Sequence, residues 1–105
     1  MKKTISETEA IAYNYLKAFG FPEEQITPLV DQAKKDLQEN LTRLETLLHE
    51  DKVSIDEVNS VLHALKGLLF NLGNHALAEK LNEIRSHPES EATLEEISRL
   101  LFDVE

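Results

Sequence analysis

His63, Lys66 and Gly67 are the residues of this chain whose types and spacing best suit chemistry. An unperturbed imidazole titrates at about pH 6.5, so an exposed one is largely neutral and nucleophilic near pH 7. Such a ring can accept a phosphoryl group on nitrogen and pass it on, because phosphoryl transfer asks mainly for positioning and charge stabilisation. Lys66 follows His63 by three positions, which on a helix brings the two Cβ atoms to about 5–6 Å. Its ammonium would then reach the oxygens of a phosphoryl group carried on the ring. Gly67 costs a helix interior about 1 kcal/mol relative to alanine. Its missing side chain would let a partner approach the imidazole; its other possible role is close helix packing, which belongs on a core-facing side.

Helical geometry at about 100° per residue sorts the run from Val61 to Gly73 into two faces. Measured from His63, the positions of Asp56, Asn59, Lys66, Gly67 and Phe70 fall within about 60°. Val58, Val61, Leu65, Leu68, Leu69 and Leu72 gather on the opposite side. His63 is therefore expected in the middle of an exposed polar stripe, with Asn71 on its flank. Phe70 on that stripe either tucks over a neighbouring helix end or serves as an apolar anchor in a docking patch.

The elements that must hold this stripe read as helices throughout. Ser6 and Glu9 have capping-box spacing, and Ile11, Tyr15 or Leu16, and Phe19 recur at helical intervals, which predicts a first helix over 7–19. Gly20-Phe21-Pro22 ends it. A second helix starts between Glu23 and Pro28 and carries a narrow stripe of Leu29, Val30, Ala33, Leu37, Leu41, Leu44, Leu47 and Leu48. Glu50-Asp51-Lys52 breaks the pattern, and Ser54 with Glu57 opens a third helix over 55–72, stopped by Gly73. Asn74 caps a fourth over 75–86, with Leu77, Leu81 and Ile84 inward. Residues 87–90 form a turn, and Thr93 with Glu96 opens a fifth over 94–102. The expected fold is all-α: an antiparallel four-helix bundle with one additional terminal helix, in a single domain spanning 1–105.

Composition narrows the function classes. A formal charge of −9 opposes nucleic-acid and anionic-lipid binding by general electrostatics. The chain has no Cys, which removes disulfide frameworks and thiol chemistry and fits a reducing cytoplasm. No run approaches the roughly 20 apolar residues of a membrane span. Met1-Lys2-Lys3 leads directly into polar residues, unlike a signal peptide. The expectation is a cytoplasmic, monomeric, free-standing protein whose partners are other proteins.

The constellation resembles the histidine-containing phosphotransfer (HPt) family of two-component phosphorelays. That family reads roughly His-x-Leu-Lys-Gly, then an apolar residue and Gly, then a helix opening near Leu-Ala. Here the corresponding residues are His63-Ala64-Leu65-Lys66-Gly67, Leu72-Gly73 and Leu77-Ala78. The likeness runs over residues 28–85, giving a phosphotransfer core at about 28–86. It implies that His63 is the phosphoacceptor, that Lys66 helps hold the phosphoryl oxygens, and that Gly67 leaves room for an incoming aspartyl phosphate. The implied partners are a response-regulator receiver domain, a histidine kinase, or both. No cofactor of its own is implied, since the receiver brings its magnesium ion. Asp56, Asn59, Phe70 and Asn71 would line the docking face. Two departures stand out: Leu68 and Leu69 replace the family's small or hydroxyl residues, and Arg85 stands where some members place a Gln. Arg85 either binds the phosphoryl group or pairs with a surface carboxylate, the second fitting an acidic surface.

Other classes fit less well. Sensor-kinase dimerisation helices place an acid after the histidine, whereas Ala64 stands here, and no Gly-rich nucleotide-binding segment exists. The chain is therefore expected to be a carrier without autokinase activity, not an enzyme. The i,i+4 pairs His75/Glu79, Glu45/His49 and Glu83/His87 lack the Glu-x-x-His spacing of di-metal bundles, so no metal site is expected. A helical adaptor that docks receiver or other signalling domains without phosphorylation remains the alternative.

Overall fold

Leucines set the frame of the molecule. The computed structural model describes residues 2–85 and 91–102, except the side chains of Arg85 and of residues 91–93. Among the described residues it holds five helices: α1 (Lys2–Ala18), α2 (Glu23–Leu48), α3 (Ile55–Asn71), α4 (His75–Arg85) and α5 (Glu91–Phe102). At 1.5 Å per residue α2 is about 39 Å long and accounts for most of the 46 Å long axis. Its Leu37, Leu41, Leu44 and Leu47 meet Val58, Val61, Leu62, Leu65 and Leu69 of α3. Ala78 and Leu81 of α4, Ile97 and Leu101 of α5, and Ile5 of α1 complete this core. A smaller cluster joins Ala12, Ile26, Val30 and Leu72 beneath the second half of α1. Helix α2 packs on α1 and α3, α3 packs on α4, and α5 touches α1, α2 and α4. No helix among the described residues is long and apolar enough to cross a membrane.

The junctions around α3 follow the expected chemistry. Ser54 caps the helix, its Oγ accepting from the Glu57 N–H. At the other end Gly73 takes φ +85°, and its N–H and that of Asn74 donate to Phe70 and Leu69 carbonyls at 3.1 and 2.9 Å. This paired arrangement satisfies carbonyls that the helix end leaves open. Asn74 Oδ1 then accepts from Leu77 N–H and starts α4.

Helix α1 departs from expectation. It begins at Lys2, so Ser6 lies inside the helix and caps nothing. Its buried side is Thr4, Ile5, Thr8 and Ala12, while Ile11 and Phe19 are exposed. The reason is polar anchoring: Thr4 Oγ1 donates to the Leu101 carbonyl at 3.0 Å, and Thr8 Oγ1 accepts from Asn74 Nδ2 at 2.9 Å. Two further links join α1 to α2. Glu9 pairs with Lys34 at 2.7 Å, holding that ammonium above its usual range, chiefly by their hydrogen bond. Tyr13 Oη donates to Glu23, which raises the phenol, chiefly through that bond. Leu29, part of the apolar stripe of the second helix, is also exposed. Helix α5 starts at Glu91, so Thr93 is inside it. The expected turn at residues 87–90 lies outside the described residues.

Candidate functional site

Helix α3 buries Val58, Val61, Leu62, Leu65 and Leu69, and this burial rotates the opposite stripe outward. His63 is exposed, as are Asp56, Gly67, Phe70 and Asn71. Leu69 is fully buried and Leu68 half-buried, so the two residues that depart from the family pattern point towards the interior. Asn59, one turn before His63, is half-buried, and its Oδ1 is buried without a hydrogen-bond partner among the described residues.

Gly67 separates two readings that sequence left open. A Cβ built at this position meets no atom within 4 Å. Close helix packing therefore does not require the glycine. The surface beside His63 is open at the position where a larger residue would project.

Lys66 is half-buried, and its Nζ donates to Asn82 Oδ1 on α4 at 2.8 Å. The ammonium is thus drawn towards α4 one turn along from His63. Asn82 was missed by sequence reasoning. Its signal was an amide, a modest helix former, inside a short helix beside the inward Leu81.

Phe70 tucks against the start of α4 and still keeps part of its ring open. Its ring lies 4.5 Å from that of His75 at the start of α4, at an interplanar angle of 30°, yet it stays 54% exposed. His75 in turn meets Tyr15 of α1 at 5.7 Å, and Tyr15 meets Phe19 at 4.9 Å. An aromatic row therefore runs from the His63 stripe across the start of α4 to the end of α1. The side chain of Arg85 lies outside the described residues, so its place relative to His63 is not part of this geometry.

Of the histidines in the three His/Glu pairs, two lie among the described residues. His75 sits among rings, and His49 Nδ1 donates to the Glu45 backbone carbonyl at 2.7 Å, a helix-end contact rather than a carboxylate pair. His87 lies outside the described residues. Among the described residues, no group of three or more His, Asp or Glu side chains is placed to hold a metal ion.

Comparison with protein-family models, curated proteins and solved structures finds no match in any of the three. The resemblance rests on the residues of the 28–85 stretch themselves.

Proposed function

We propose that the protein is a histidine phosphotransfer carrier. It takes a phosphoryl group on His63 from a phosphorylated receiver domain or a histidine kinase and hands it to a response regulator. The observation that carries this reading is the single exposed stripe of α3 on which His63, Lys66 and the open Gly67 follow one another. In the step, the lone pair of the unprotonated ring nitrogen forms an N–P bond while the P–O bond of an aspartyl phosphate breaks. The electron pair leaves on the aspartate carboxylate, and the proton on the other ring nitrogen is released to water. Lys66 offsets the charge on the phosphoryl oxygens, and the receiver supplies the magnesium ion and most of the catalytic groups. The chain needs no nucleotide site because the donor arrives already phosphorylated.

In this reading α2–α5 form the four-helix bundle of a phosphotransfer domain and α1 is the additional terminal helix. The contacts of α5 with both α2 and α4 support it, since they close a ring of four. The surface charge suits a cytoplasmic, monomeric carrier that meets proteins.

The test is incubation with a phosphorylated receiver domain, followed by detection of acid-labile phosphate. Transfer to the wild type and not to His63→Gln is expected. Absence of transfer to either, with binding intact, would refute the carrier reading and leave a docking adaptor.

A further inference from the structure

Lys66 is held differently from three other cations among the described residues. Lys3, Lys34 and Arg99 each pair with a glutamate, at 3.9, 2.7 and 3.8 Å. Lys66, in a chain with 20 acidic residues against 11 Lys and Arg, is instead given to a neutral amide oxygen. A carboxylate would neutralise the ammonium and compete with any incoming anion. An amide holds it and leaves its charge in place. An ammonium has three N–H donors; the bond to Asn82 uses one, and two remain for phosphoryl oxygens. A lysine on a flexible four-carbon stem otherwise samples many rotamers, so an anchor on the facing helix restricts where its charge can stand.

We infer that Asn82 is a positioning residue for phosphoryl transfer at His63: its Oδ1 on α4 fixes the Lys66 ammonium, one turn along from His63, without discharging it. This rests on the phosphotransfer reading. It adds a residue of the neighbouring helix to the His63, Lys66 and Gly67 stripe of α3. Asn82 is exposed and lies at the surface, so its replacement removes the amide without opening a cavity.

The experiment compares wild type, Asn82→Ala, Asn82→Asp, Lys66→Ala and the Asn82→Ala/Lys66→Ala double variant in two transfers. The first donor is a phosphorylated receiver domain. The second is phosphoramidate, whose own N–P bond breaks and releases ammonia as the N–P bond to His63 forms. Asn82→Ala should lower the saturating transfer rate on the order of threefold to tenfold, with half-saturation by the receiver unchanged, since orientation rather than docking is lost. In the Lys66→Ala background the same change should have no further effect. Asn82→Asp should be slower than Asn82→Ala, because its carboxylate captures the ammonium and repels the phosphoryl group. A mere strap between helices predicts the opposite for Asp: an ion pair would replace the amide bond and transfer would be unchanged.

Equal rates for Asn82→Ala and wild type, an undiminished effect in the Lys66→Ala background, or full activity of Asn82→Asp would each overturn the inference. If the receiver fails to phosphorylate the wild type, the carrier reading falls, and the phosphoramidate rates still decide the role of Asn82. A wild type that loads from neither donor overturns both.

Discussion

Replacing Gly67 with alanine should make the protein more stable while making it a poorer phosphate acceptor. The position lies inside α3, and a Cβ there meets nothing within 4 Å. The substitution therefore carries no steric cost within the chain. The helix interior gains about 0.8–1.0 kcal/mol from alanine over glycine, part of it through reduced freedom of the unfolded chain. No apolar contact is added, so about 1 kcal/mol is the whole expected gain. For a domain of this size that raises the unfolding midpoint by about 4–8 °C. Urea unfolding followed by circular dichroism checks it, with a higher midpoint and an unchanged slope expected. The acid-labile phosphate formed from a phosphorylated receiver should accumulate more slowly in the same variant. A loss of stability would show that the fold itself needs the glycine. Greater stability with undiminished transfer would show that clearance beside His63 is not its role.

Gly67→Phe should stay folded and stop transfer from a receiver, and transfer at the wild-type rate would contradict close approach at this surface. Lys66→Ala should slow transfer about tenfold or more while weakening receiver binding less, in line with loss of a charge that acts on the transferring group; calorimetric titration beside the transfer assay separates the two. Gly73→Ala should destabilise the protein by at least about 1–2 kcal/mol from the left-handed backbone alone. Its Cβ would also meet the Tyr15 ring, and unfolding in urea measures the loss. Tyr13 should titrate above its ordinary value of about 10 because its hydroxyl donates to Glu23. Its contribution to stability is then present below that ordinary value and fades as pH rises through the raised one. Phenolate absorbance in wild type and Glu23→Ala tests this, and identical titrations would refute the assigned cause.

The face of α3 was legible because its code is periodic: large apolar residues at helical spacing leave one stripe for His63, Lys66, Gly67 and Phe70. The same logic finds α1 as a helix but not its inner side, which is made of Thr4, Ile5, Thr8 and Ala12. Threonine can be drawn inward by a hydrogen bond, and periodicity of hydrophobic residues does not register that. Ile11 and Phe19 mark the helix by their spacing, yet both lie exposed. The Lys66–Asn82 bond was hidden for another reason: it depends on how two helices lie against each other after a turn, and one-helix geometry says nothing about that. The openness around Gly67 likewise belongs to the assembled surface.

The junction at Asn74 carries a mechanical consequence. Its N–H holds the last turn of α3, its side-chain carbonyl receives the first turn of α4, and its amide reaches Thr8 on α1. One residue thus works as a pinned fulcrum for two lever arms, and the far helix supplies the pin. Any wobble at that pivot would grow with distance along the arms and loosen the Lys66–Asn82 bond. A helix that supplies none of the proposed phosphoryl contacts thereby governs how steadily the two arms are aimed at each other.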